Sequence, residues 1–186
     1  MKKALVFGLF LILLTGCSGE NRELERGMTL RSRLLQAQGC RFSAEITADY
    51  GETVYTFCVD CEADAQGSLS FAVTAPETIS GITGTVSDTG GNLTFDDTAL
   101  HFPGMAQGRV APVTAPWLFL KTLRGGYLRL AGMEGELLRL TLDDSYEADA
   151  LQLDIWINPQ DQPVRAELLY DGCSIVSLNV KDFEIL

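Results

Sequence analysis

The sequence is poor in what catalysis and nucleic-acid binding require. It holds one histidine, His101, in 186 residues. A multi-histidine metal site is therefore impossible, and any Ser-His-Asp relay would rest on that single ring. Basic residues are scarce, with 14 Lys and Arg against 25 Asp and Glu and a formal charge of −11. No Lys/Arg cluster interrupts that balance. So acidic a surface repels phosphate backbones, which excludes nucleic acid as a partner. No apolar run approaches the roughly 20 residues that a bilayer-spanning helix needs. None of G-x-S-x-G, H-E-x-x-H, G-x-G-x-x-G or G-x-x-x-x-G-K-[ST] occurs, so neither enzymatic activity nor a cofactor or metal is expected.

The chain does contain an address. Met1-Lys2-Lys3 is a basic head, Ala4 to Leu14 is uncharged and almost wholly apolar, and Thr15-Gly16-Cys17 follows at once. That order is the grammar of a secretory signal with small residues at the cut site. Leu14-Thr15-Gly16-Cys17 resembles the bacterial lipobox, whose cysteine receives a diacylglyceryl group and becomes the new N-terminus. Residues 1–16 are thus expected to be a lipoprotein signal peptide. Residues 17–27 are expected to be the lipidated Cys17 and a flexible polar spacer, and residues 28–186 a single domain. Acyl chains contribute about 0.8 kcal/mol per buried CH₂, so two give stable anchoring. The expected location is the cell membrane, on its extracytoplasmic face. Loss of Lys2 and Lys3 leaves 12 basic against 25 acidic residues, or −13. The mature surface gains nothing from an anionic leaflet.

Four cysteines remain after Cys17: Cys40, Cys58, Cys61 and Cys173. An even number in an exported chain suggests disulfides, with three possible connectivities. Cys58-Val59-Asp60-Cys61 has thioredoxin-like spacing, but it ends an alternating β run with no helix pattern after it, so thiol redox catalysis is disfavoured. Tyr50-Gly51 reads as a two-residue hairpin loop. That loop would set Cys40 opposite Cys61, close to disulfide geometry, leaving Cys58 to pair with Cys173.

Apolar content is 46%, enough for a core. Residues 28–38 have helical spacing through Leu30, Leu34 and Ala37, stopped by Gly39. Short alternating runs then follow between turn residues, reading as a meander of hairpins. Residues 116–123 interrupt them as a helix, with Thr114 as cap candidate and Gly125-Gly126 as stop. Trp117, Leu118, Phe119, Leu120 and Leu123 make that helix apolar on most sides, so it should be buried or cover a cavity. The expected class is α+β, a curved antiparallel sheet of about 10–11 strands with helices over its concave face. Phe42, Ile46, Tyr55, Phe57, Phe71, Trp117, Leu118 and Phe119 are candidates to line a ligand pocket there, and equally candidates for plain core. Asp143, Asp144, Glu147 and Asp149 lack EF-hand spacing, and Asp96-Asp97 has the look of a turn. His101 sits between Leu100 and Phe102 as a structural residue.

The order of lipobox, spacer, helix, β-meander, apolar helix and closing strands resembles the LolA/LolB-like lipoprotein-carrier superfamily, particularly the surface lipoproteins of Gram-positive bacteria. The likeness is carried by Gly39–Glu52, by Thr74-Ala75-Pro76-Glu77 with Gly81-Ile82, by the Trp156…Pro163 hairpin and by the closing segments from Pro163 to Phe183. The resemblance implies a half-barrel plugged by helices, with an apolar cavity for acyl chains or other lipids. The function it implies is a membrane-anchored lipoprotein that binds or presents a hydrophobic ligand. The alternative is a structural or interaction lipoprotein of the cell envelope, whose acidic face meets a protein partner.

Overall fold

The computed structural model describes residues 19–96, 98–102, 105–106, 109–147 and 150–186. The signal segment, Cys17, Asp97 and Asp149 lie outside the described residues. Among the described residues thirteen strands follow in chain order: β1 Gly39–Asp49, β2 Val54–Asp64, β3 Leu69–Ala75, β4 Thr83–Ser87, β5 Gly90–Phe95, β6 Thr98–Phe102, β7 Met105–Ala106, β8 Arg109–Val110, β9 Tyr127–Glu134, β10 Leu137–Asp143, β11 Gln152–Ile157, β12 Pro163–Tyr170 and β13 Cys173–Ile185. Eleven of them form one antiparallel sheet in the order β6-β5-β4-β3-β2-β1-β13-β12-β11-β10-β9. β7 and β8 pair only with each other.

Alternation puts one row of each strand inside. In β1, Cys40, Phe42, Ala44, Ile46 and Ala48 are buried, while Arg41 is exposed and Ser43 and Glu45 are half-buried. A sheet this long accumulates twist and curls. One bend has a visible device. Between Arg41 and Ser43 the register against β13 jumps from Glu184 to Lys181, and Asp182 takes up the extra residue at φ 52, a bulge that sharpens local twist. The result is the curved, unclosed antiparallel sheet expected from the alternation, in the α+β class, and the half-barrel that the resemblance implied.

Two helices cover the concave face. Helix α1 spans Gly19–Gln36, so the stretch expected to be a flexible spacer is helical from Gly19. The physical reason is twofold. Glu, Arg and Leu are good helix formers, and the added turns are tethered, because Arg26 Nη2 reaches Asp161 Oδ1 at 2.8 Å in the β11–β12 turn. Gly27 lets the helix approach closely, since a Cβ there would lie 2.9 Å from the Leu140 side chain. Helix α2, Ala115–Gly125, follows a short 3-10 turn at Pro112–Thr114. Its Ala115 to Leu120, Thr122 and Leu123 are buried. Thr114 does not cap the N-terminal amides; its hydroxyl donates to the Ala111 carbonyl at 2.7 Å. Gly126 does close the helix, its N–H donating to Thr122 O at 2.8 Å. Among the described residues no helix is long and apolar enough to cross a membrane.

The β1–β2 register differs from the expected one by two residues. Asp49 faces Val54, Phe42 faces Cys61 and Cys40 faces Ala63. The loop is therefore Tyr50-Gly51-Glu52-Thr53, not two residues. Opposing Asp49 to Glu52 would have set like charges face to face. The longer loop avoids this, and the Asp49 carboxylate accepts the Gly51 N–H at 2.8 Å. This correction removes the basis for the Cys40–Cys61 pairing, which becomes a diagonal contact. The Cys58–Cys173 pairing fails too. Cys58 faces Glu45, which faces Asn179, and six strand residues from there to Cys173 span about 20 Å. All four thiols are free.

Candidate functional site

Residues expected to line a pocket beneath α2 are mostly packed against one another. Phe42, Ile46, Phe71, Trp117, Leu118 and Phe119 are buried core. The Phe42 ring meets Phe119 edge-on at 5.8 Å and stacks on Phe183 at 5.7 Å, so aromatic side chains occupy the space below the helix. Trp117 donates its indole N–H to Gly67 O at 2.9 Å, which pins α2 to the β2–β3 turn.

An open cavity lies instead at the end of the concave face. It measures about 610 Å³, within the roughly 300–1,000 Å³ of small-ligand sites. Tyr55 and Phe57 of β2 belong to its wall, joined by Tyr50, Val54 and Thr56 from the same hairpin. Val73 of β3, Leu93 of β5 and the loop residues Pro76, Ile79 and Ile82 form the second wall. Pro112 and Val113 close it from the turn before α2. The hairpin end is where α2 no longer reaches, so Tyr55 faces inward yet stays 52% exposed. Tyr50 and Tyr55 meet edge-on at 6.3 Å, and the Tyr50 hydroxyl donates to Val110 O. That bond satisfies the phenol. No charged side chain is among the described lining residues. The missed wall residues had one sequence signal: Ile79 and Ile82 are apolar residues inside a turn-like stretch.

The cysteines make no reactive centre. Cys61 is buried on the concave side of β2, whereas Cys58 lies on the opposite face among Asp60 and Glu62. Strand pleat thus keeps the two thiols of the C-x-x-C apart. Burial pushes the Cys40 thiol up to about 11 against a lesser opposing pull from Arg124. Burial foremost, then Asp60 and Cys40, raises Cys61 further. Neither supplies a thiolate at neutral pH. His101 is exposed and its Nδ1 lies 3.0 Å from Asn92 Oδ1. Asp143 pairs with Arg129 at 3.5 Å, Asp144 accepts the Leu151 N–H at 2.9 Å, and Asp96 sits in a turn at φ 47. Asp144 and Asp96 thus serve turns, while Asp143 and His101 make cross-strand contacts.

A second concavity, about 820 Å³, runs over the convex face across β13, β1, β2, β3, β4 and β5. Asp60, Glu62, Asp182 and Glu184 line it together with Ser70, Thr83, Thr85 and Asn92. Arg41 Nε donates to Glu184 at 2.7 Å and Ser43 Oγ to Asp60 at 2.7 Å.

No protein-family profile and no curated protein matches the sequence. Solved structures do match. An outer membrane lipoprotein-sorting protein domain from Vibrio parahaemolyticus superposes with a TM-score of 0.51 at 8% identity, covering 90% of this chain and 93% of that one. The chain has a LolA-like fold. A LolA superfamily protein from Nitrosomonas europaea (TM-score 0.44, 9% identity, 91% and 94% covered) and the lipoprotein LppX of Mycobacterium tuberculosis (0.42, 13%, 87% and 93%) overlap more loosely and add no weight. At such identities the LolA-like likeness concerns architecture, and function has to be argued from the site.

Proposed function

We propose that this chain is a lipid-anchored envelope protein that holds an apolar ligand in the cavity at the open end of its half-barrel. The carrying observation is that cavity: about 610 Å³ of space walled by Tyr55, Phe57, Val73, Ile79, Ile82 and Leu93 with no charge among its described walls. An exposed apolar concavity in a soluble domain costs free energy unless something occupies it. The lipobox at Leu14–Cys17 supplies the anchor and the cell membrane's outer face as the location. The full chain, purified from membranes and examined by native mass spectrometry, is expected to carry lipid mass on top of a diacylglyceryl group at Cys17. A Cys17→Ala chain should lose palmitate labelling and keep the cavity-bound species. Bare protein in both preparations, with labelling also absent from the unaltered chain, overturns the proposal.

The polar trough on the convex face supports a second reading, an interaction lipoprotein whose carboxylates meet a basic envelope partner. That reading predicts partners that dissociate as salt rises.

A further inference from the structure

The charge around the cavity is one-sided. Antiparallel order brings the β1–β2, β3–β4, β5–β6, β10–β11 and β12–β13 loops to the same end of the sheet. The loops framing the cavity hold Asp49 and Glu52 beside Tyr50 and Val54, Glu77 between Pro76 and Ile79, and Asp96 just beyond β5. Farther round the same end stand Asp144, Glu147 and Asp171. All seven are exposed, and no Lys or Arg occurs in those five loops. Of the residues that line the cavity, Pro112 has a basic residue nearest in sequence, Arg109, three positions before it. The opposite end differs: Lys121 pairs with Asp88 at 2.5 Å, and Arg124 donates to Asp64 O at 3.1 Å.

An amphiphile seated in the cavity must hold its apolar chain among uncharged walls and leave its polar head among these carboxylates. Building on the apolar-ligand reading, we infer that the site takes an apolar chain carried on a cationic head and discriminates against an anionic one. The carboxylates framing the mouth attract a cationic head together, and salt weakens that attraction. With several screened charges of one sign acting on the head, a cation and an anion of equal tail should differ about tenfold in affinity, with a neutral head between.

The test uses the full chain, with Cys17→Ala to remove the anchor, and three ligands sharing a twelve-carbon tail: dodecylamine, monolauroylglycerol and laurate. Each is titrated below its aggregation concentration, at low salt and again at high salt. The expected order is amine, then monoglyceride, then laurate, converging at high salt. Because the whole chain is acidic at −11, the control must change net charge equally. A Glu52→Gln, Glu77→Gln, Asp96→Asn variant should erase the order. A Glu25→Gln, Glu62→Gln, Glu136→Gln variant, altered away from the cavity, should retain it. Laurate binding as tightly as the amine, or equal effects of the two triple variants, overturns the inference while leaving the apolar-ligand reading intact. Binding of none of the three overturns both.

Discussion

At the scale of single residues, the four free thiols make the sharpest departure from what the sequence suggested. The Cys40–Cys61 expectation depended on a hairpin loop two residues shorter than the one formed, and a two-residue slip changes every cross-strand partner while leaving each side chain on its own face. Burial on the concave face was therefore legible from alternation, whereas the partner was not, because Asp49 and Gly51 build the loop locally through a side-chain bond. The thiol environment has a measurable consequence. An unfolded thiol ionises from about pH 9, but Cys40 in the folded chain holds its proton to about pH 11. Over that window the unfolded state binds fewer protons than the folded one, so stability falls as pH rises. Cys40 alone is expected to contribute a loss of about 2 kcal/mol between pH 9 and 11, read from urea unfolding midpoints, with Cys61 adding to it in the same direction. Cys40→Ala should shift the midpoint at every pH and make the profile shallower. An unchanged slope would show that the thiol does not carry it.

Between elements, the convex face of β9 to β12 is held by a polar cluster rather than by a helix. Asp154 on β11 is 1% exposed. Its carboxylate accepts Thr141 Oγ1 and Arg139 Nη2 from β10, each at 2.6 Å. Hydrogen bonding to Asp154 strengthens the hold of Arg139 on its proton. Next along the strands, the Trp156 ring lies between Arg139 at 5.3 Å and Arg165 of β12 at 4.5 Å, and its N–H reaches Glu134 of β9 at 3.0 Å. Four strands are thus cross-tied on a face that no helix among the described residues covers. Removing one partner leaves a desolvated charge, so Asp154→Ala is expected to cost about 2–4 kcal/mol by urea unfolding, near the lower end because Arg139 is partly exposed. Replacing both, as Asp154→Leu with Arg139→Met, should cost far less. Equal losses from the single and double variants would mean that packing volume, not charge, is what the cluster supplies. Sequence pattern showed these strands and their order of appearance, but not this cluster. Asp154 and Trp156 sit at alternate positions that read simply as one face, and only pairing reveals that Arg139 and Arg165 flank the ring.

For the whole molecule, a curved antiparallel sheet covered by a helix was legible because period-two alternation, turn residues and one apolar helix all agree on it. The location of the cavity was not. An all-apolar helix over a curved sheet implies either a void or a plug, and the choice rests on side-chain volumes across distant strands: Phe42 from β1, Phe119 from α2 and Phe183 from β13 meet and fill the centre. The larger apolar space lies beyond the N-terminal end of α2, between the β1–β2 hairpin and the Pro76–Ile82 loop. This division of labour makes stability and ligand capacity separable. The plugged centre supplies the core, so a bulky change at the cavity wall should alter occupancy without unfolding the domain. Ile79 is half-buried on that wall and only packs against the core cluster from outside. Ile79→Trp is expected to shift the unfolding midpoint by less than about 1 kcal/mol, as for partly exposed loop positions. It should weaken monolauroylglycerol binding about tenfold by filling the space its tail would take. Unchanged binding in a stably folded Ile79→Trp chain would mean that the ligand enters elsewhere, and the open end would then be only the unfinished rim of the sheet.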